Sequence, residues 1–209
     1  MYLFSRSGRF APGAIREGIA FVGAVTEKVN QHSGLEIHAW AASMSPELGT
    51  VSWVTFVEHL EQLEQAEDKL ALAEDYIELV EKNAHLFAGP LEDTLGQIVH
   101  GGPDAGAALP SYVTVANAVA ANGKLSQAMA DGVEIAVKAT EITGLTTSFV
   151  AAATGPYGGV AWITGCESIS QVEESEAKLM ADASWLELID RIGPSYAQGA
   201  SQSVYRRLI

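Results

Sequence analysis

Cysteine is nearly absent from the sequence: Cys166 is the only one. That excludes an internal disulfide and a cysteine-rich metal site, and it suits a reducing compartment. Basic residues are scarce as well, 12 Lys and Arg against 26 Asp and Glu, for a formal net charge of -14. So acidic a chain, with Arg206-Arg207 as its one adjacent basic pair, matches neither nucleic-acid phosphates nor an anionic membrane surface. No apolar run approaches membrane-spanning length, and the N-terminal Met1 to Ser7 lacks the basic start and apolar stretch of a signal peptide. A cytoplasmic location is therefore expected. The second half contains no histidine: His32, His38, His59, His85 and His100 all lie in the first. No histidine pair has helical metal-ligand spacing, no glycine loop leads into a helix as a phosphate cradle would, and no Ser or Cys sits in a nucleophile elbow. Cys166 has a glycine before it and a glutamate after, neither of which lowers a thiol pKa. These absences predict no metal and no cofactor.

Hydrophobic residues make up 48% of the 209, enough for a sizeable core and against disorder. Their arrangement repeats. Gly34-Leu35 to Trp53-Val54-Thr55 returns as Gly144-Leu145 to Trp162-Ile163-Thr164, with Pro46 matching Pro156 and Gly49 matching Gly159. Tyr2, Gly13 and Lys28 fall in register with Tyr112, Gly123 and Lys138. After a one-residue deletion, Glu58, Gln62, Glu67, Lys69 and Leu70 meet Glu167, Gln171, Glu176, Lys178 and Leu179. Tyr76 with Trp185 and Phe87 with Tyr196 keep their character. A repeat of roughly 100 residues is too long for a solenoid unit and suits a small domain. The chain reads as a tandem duplication, with a first repeat at 1–100, a linker at 101–110 and a second repeat at 111–209.

Each half reads as β-α-β-β-α-β. Tyr2 to Ser7 and Tyr112 to Val119 alternate like strands. Ile15, Ile19, Val22 and Val29 recur at helical spacing, as do Leu125, Met129, Gly132 and Ala139, and each helix ends at Gly34 or Gly144. Leu35 to Met44 and Thr50 to Val57 form a hairpin across Pro46 and Gly49. A long acidic helix from Glu58 to Lys82 follows, its charges read as a solvated face. Leu60, Leu63, Leu70, Ile77 and Val80 make its apolar stripe, answered by Ile169, Val172, Leu179, Leu186 and Ile189, and Ser168 with Gln171 has capping-box spacing. Thr94 to His100 and Ser203 to Ile209 close the halves. Such a unit places both helices on one face of a four-stranded antiparallel sheet, and the other half can cover the bare face. The predicted fold is α+β: two ferredoxin-like repeats whose sheets pack face to face.

With the junctions Val57-Glu58-His59-Leu60-Glu61-Gln62-Leu63 and Cys166-Glu167-Ser168-Ile169-Ser170-Gln171-Val172, this pattern resembles the dimeric α/β-barrel superfamily, here as an intramolecular pseudo-dimer. The superfamily holds cofactor-independent monooxygenases of aromatic polyketides, haem-degrading and haem-binding enzymes, and stress-induced proteins, so fold analogy narrows function little. Haem is disfavoured. Haem-degrading relatives place a tryptophan where this chain has Val57 and Cys166, and duplicated haem enzymes of the chlorite dismutase type draw an axial histidine from the second half.

Against that background several residues could carry chemistry. Glu36, His38 and Trp40 share one face of the second strand; if Leu35, Ile37, Ala39 and Ala41 face the helices, that polar face points into the barrel. His38 beside Glu36 could act as a general base, although a strand histidine with no chemical duty is the plainer reading. Trp53 and Trp162 could form aromatic walls for a flat ligand or could serve only as core packing. Arg6 and Asn117 are the polar first-strand residues of interest, Asn117 because an amide could orient a carbonyl or an oxygen species. The resemblance implies a small-molecule-binding protein, monooxygenase-like on an apolar or aromatic substrate; the alternative is a non-catalytic binder of a ligand or a protein. No nucleic acid or membrane partner is expected, and a homo-oligomer is compatible. A cavity holding His38 with Trp53 or Trp162 at its wall would mark the first reading.

Overall fold

In the computed structural model, which describes residues 1–103 and 108–209, the chain forms two compact units, Met1–Leu95 with Arg207–Ile209, and Gly96–Arg206. Residues 104–107, within the predicted linker, lie outside the described residues. The N-terminal half runs β1 (Tyr2–Arg9), α1 (Ile15–Ser33), β2 (His38–Ser43), β3 (Thr50–Val57), α2 (Glu61–Ala71), α3 (Glu74–Asn83) and β4 (Glu92–His100). The C-terminal half repeats the order as β5 (Tyr112–Val119), α4 (Leu125–Thr143), β6 (Thr147–Ala152), β7 (Gly159–Cys166), α5 (Ile169–Ala181), α6 (Ala183–Ile192) and β8 (Ser201–Arg207). A short 3-10 turn follows α3 and another follows α6. The strands are hydrogen-bonded in the order β1-β3-β2-β8-β5-β7-β6-β4 and close on themselves. The fold is thus the pseudo-dimeric ferredoxin-like α/β barrel that the repeated order of elements predicts. The boundary between the compact units falls inside β4 and β8, not in the connecting segment.

In the N-terminal unit the core lies between α1 and one face of the sheet. Phe21, Val22 and Val25 of α1 pack with Ile37, Ala39, Val51 and Trp53 of the sheet side, and with Phe10 and Leu86. Phe21 and Val22 lie four and three residues before Val25, which puts all three on one stripe of α1. Ile15 and Ile19, assigned to that stripe from the pattern, stay about half exposed. Both long helices end as expected, with Gly34 at φ 79° and Gly144 at φ 76°, a left-handed turn that glycine enters without a Cβ clash.

The single long helix expected from Glu58 to Lys82 is instead two. α2 stops at Ala71, Leu72 is left 84% exposed, and Ala73 is extended at φ -89°, ψ 93° before α3 begins. In the C-terminal unit Asp182 makes the same break and its carboxylate accepts from the Trp185 N–H at 3.0 Å, capping α6. The break changes the helical phase: Leu188 and Ile192 are buried while Leu186, placed in the predicted stripe, is 41% exposed. At the start of α5 the expected cap forms, the Ser168 hydroxyl accepting from the Gln171 N–H at 3.2 Å.

Candidate functional site

β1, β3 and β2 pair so that every second residue faces the helices. Arg6 is in register with Trp53, Phe4 with Thr55, and Ala39 with Trp53. On that face, under α1, α2 and α3, the N-terminal unit holds a cavity of about 110 Å³. Its aromatic walls are Phe4, Phe21, Trp53 and Tyr76, with Val25, Ile37 and Ala66 among the aliphatic lining. Glu67 and Leu91 are its exposed lining residues, which places the solvent side there.

The aromatic wall is held by hydrogen bonds as well as packing. Trp53 Nε1 donates to Thr26 Oγ1 at 3.0 Å, and that hydroxyl donates in turn to the Val22 carbonyl one helical turn back at 2.7 Å. Both polar groups are buried and both are satisfied. Phe87 meets Trp53 at 6.1 Å and Phe21 edge-on at 5.9 Å between ring centroids.

Arg6 is the one cationic side chain of the lining, and its fork is occupied. Nε and Nη2 donate to the two carboxylate oxygens of Asp93 on β4, each at 2.7 Å, and Glu67 of α2 stands 3.7 Å from Nη2. The guanidinium also lies over the Phe4 ring, 5.8 Å from its centroid. The hydrogen-bonded Asp93 pushes the Arg6 pKa up against the opposing effect of burial, so the side chain is a permanent cation.

The residues singled out from sequence divide between the two faces. Arg6 and Trp53 line the cavity. His38 pairs with Val54 and therefore points away from Trp53, as do Glu36 and Trp40 on the same side of the strand. A wall combining His38 with Trp53 does not form, because β2 and β3 alternate and the two residues are one step out of phase. His38 Nε2 lies 3.3 Å from Glu36 Oε1, Glu36 is well exposed, and Trp40 is buried. In the C-terminal unit Trp162 is packed between Phe149, stacked at 5.4 Å, and Tyr196, edge-on at 5.4 Å, and its Nε1 donates to the Gly132 carbonyl at 2.8 Å. Asn117 is exposed and in register with Ala161, one step from Trp162 and on the opposite face.

Sequence reasoning missed Phe4, Phe21, Tyr76, Glu67 and Asp93 as members of one site. The alternation of β1 could have found Phe4 beside Arg6, and the Tyr76–Trp185 correspondence marked an aromatic position. Nothing local linked Asp93 to Arg6. Among the described residues no group of three His, Cys, Asp or Glu could hold a metal ion, and no helix is long and apolar enough to cross a membrane. The cavity lining contains no histidine. Cys166 is buried, and burial pushes its thiol up to about 11, with Glu167 and Glu176 adding to the shift.

No protein-family model matches the chain, and no curated protein matches it in sequence. Its fold is similar to that of a candidate monooxygenase from Fusobacterium nucleatum, with a TM-score of 0.72 and 8% identity over 100% of this chain and 92% of that one. An anthrone oxidase-like protein matches with a TM-score of 0.68 and 12% identity over 99% and 90%. A candidate monooxygenase from Lactobacillus acidophilus matches at 0.65 and 8% over 100% and 94%. At these identities the likeness is one of fold. The strand order and the likenesses together establish the dimeric α/β-barrel fold, carried here within a single polypeptide.

Proposed function

We propose that the protein binds a small apolar or aromatic molecule in the N-terminal cavity and oxidises it in the manner of a cofactor-independent monooxygenase. One observation carries the binding role: four aromatic side chains and a paired guanidinium surround unfilled space beneath α1, α2 and α3. Apolar walls with few polar groups are what small-molecule sites use to gain affinity and orientation. The fold likeness to candidate monooxygenases supports the oxidative part. In such chemistry the bound substrate supplies the electrons that reduce dioxygen, and the protein's part is to orient the substrate and exclude water. Phe4, Phe21, Trp53 and Tyr76 would orient the ring, and Glu67, at the solvent side, is the lining carboxylate able to take a proton.

A second reading, binding without catalysis, is favoured by two features. The Arg6 charge is already committed to Asp93, and no histidine lines the cavity. The experiment is a thermal-shift and NMR screen of ring compounds against the wild type and Ala66→Leu, combined with oxygen uptake. Ala66 is a buried lining residue, so a larger side chain there should fill the space. Binding lost in a folded Ala66→Leu supports the site, and substrate-dependent oxygen uptake supports the enzyme. Binding without uptake selects the second reading. A ligand whose affinity ignores Ala66→Leu sinks both.

A further inference from the structure

This inference rests on the binding role proposed for the N-terminal cavity and concerns what that cavity admits. Arg6 carries one positive charge, and two negative ones face it: Asp93, which takes Nε and Nη2 at 2.7 Å each, and Glu67 at 3.7 Å from Nη2. The solvent side of the cavity is therefore net negative. A carboxylate arriving there meets two like charges, and the side-on Nε/Nη2 edge of the guanidinium is already taken by Asp93, whose charge cancels that of Arg6. An uncharged oxygen is received differently. Among the described residues the hydrogen bonds of Arg6 use one N–H each of Nε and Nη2. The end-on N–H groups of Nη1 and Nη2 are left to donate to a carbonyl or hydroxyl oxygen, which brings no further negative charge to the site.

Size narrows the class further. About 110 Å³ is less than the roughly 150 Å³ of an apolar cavity known to take up benzene. The interior thus holds no more than one ring, with a polar group at the solvent side beside Arg6, and not a fused polycycle.

The C-terminal unit lacks this arrangement. Ala116 stands at the position of Arg6, and Gln202, at that of Asp93, donates to Glu176 at 2.6 Å. There an amide and a carboxylate meet directly, with no cation between them.

We propose that the N-terminal cavity takes a single-ring, uncharged compound bearing one carbonyl or hydroxyl oxygen, and that Asp93, by taking the side-on edge of Arg6 and cancelling its charge, determines this specificity against the carboxylate analogue. The test is a titration by calorimetry or NMR of toluene, benzyl alcohol and benzoate into the wild type, Asp93→Asn and the double variant Asp93→Asn/Arg6→Met. The wild type should bind benzyl alcohol at least about tenfold more tightly than benzoate. Asp93→Asn frees the fork and should tighten benzoate by about tenfold or more, a gain that the double variant loses. Should Asp93→Asn fail to fold, Arg6→Met serves instead and should reduce benzyl alcohol to the affinity of toluene. Benzoate binding the wild type as well as benzyl alcohol does, an unchanged ratio in folded Asp93→Asn, or unchanged benzyl alcohol affinity in Arg6→Met overturns the assignment and leaves the binding role standing. Failure of all three ligands to bind the wild type overturns both.

Discussion

Trp53 and Trp162 hold equivalent places on β3 and β7, yet their indole N–H groups end on different partners, Thr26 Oγ1 in one unit and the Gly132 carbonyl in the other. The difference spreads outward from there. In the N-terminal unit Val22 and Ala39 share the space between α1 and β2, both fully buried. In the C-terminal unit the corresponding pair is Gly132 and Phe149, and the Phe149 ring lies where a Cβ on Gly132 would be. Phe21 and Leu86 are exchanged for Asp131 and Ser195, a buried pair in which the hydroxyl donates to the carboxylate. Arg6 is exchanged for Ala116. One topology thus carries two cores of different chemistry, because each change of volume or polarity on a helix is answered across from it on a strand or turn. In the unit that keeps Arg6, the result includes a lined cavity; in the other, Trp162 is sandwiched by Phe149 and Tyr196.

The sharpest way to break the comparison is Gly132→Val alone. It should destabilise the protein by about 3 kcal/mol, since the Phe149 ring has nowhere to go in a close-packed core. Gly132→Val with Phe149→Ala copies the Val22–Ala39 pairing, and chemical denaturation should show most of that loss recovered. If the double variant is no better than the single one, the two positions do not exchange volume as described.

Trp53→Phe comes next. It removes the indole N–H from Thr26, whose hydroxyl still donates to the Val22 carbonyl, so a loss of about 1–2 kcal/mol is expected from the bond and the vacated volume. The same substitution at Trp162 should also weaken the stack on Phe149, visible in near-ultraviolet circular dichroism as a larger aromatic change than Trp53→Phe produces.

Asp182 and Ala73 make a smaller contrast, one helix break with a side-chain cap and one without. Asp182→Ala should lower Tm by roughly 2–4 °C. The hydrogen bonds from Ser184 and from the Trp185 N–H hold the Asp182 carboxyl below the usual carboxylate range. A depressed folded pKa means that the contribution is complete above the ordinary aspartate range and fades as pH falls through and below it. The Tm difference between wild type and Asp182→Ala should therefore shrink in acid, and a difference that grows there would contradict the cap.

The least effect is expected from Cys166→Val, which installs the residue of the other unit, Val57, at an equally buried site. Stability should change by about 0.5 kcal/mol or less. The Cys166 thiol, buried and pushed up to about 11, should resist alkylation at neutral pH until the protein is unfolded. Rapid labelling of the folded protein would mean that β7 opens locally.

Where residues answer to their near neighbours, the sequence was a good guide. Alternation grouped Ile37 with Ala39 on one face of the strand, the face that packs under α1, and Gly34 and Gly144 marked the ends of α1 and α4. The break between α2 and α3 was hidden because Leu72 and Ala73 include neither glycine nor proline. The matching break at Asp182 was missed as well, although aspartate is a residue type that favours an N-cap. Arg6 and Trp53 were both recognisable as candidates, but not as neighbours of Asp93, Glu67 and Tyr76. His38 drew attention through the chemistry of its side chain, although its position in the strand turns it from Trp53.

The repeated order of elements, the strand alternation and the glycine helix ends were determined by sequence alone, since each is a periodicity or a backbone preference expressed within a few residues. Only the tertiary structure decided that Arg6 meets Asp93, 87 positions away, and that space remains beneath α1 in the N-terminal unit. Whether a pocket is open or filled depends on the summed volumes and charges of side chains brought together from distant elements, a quantity that no single stretch of the chain contains.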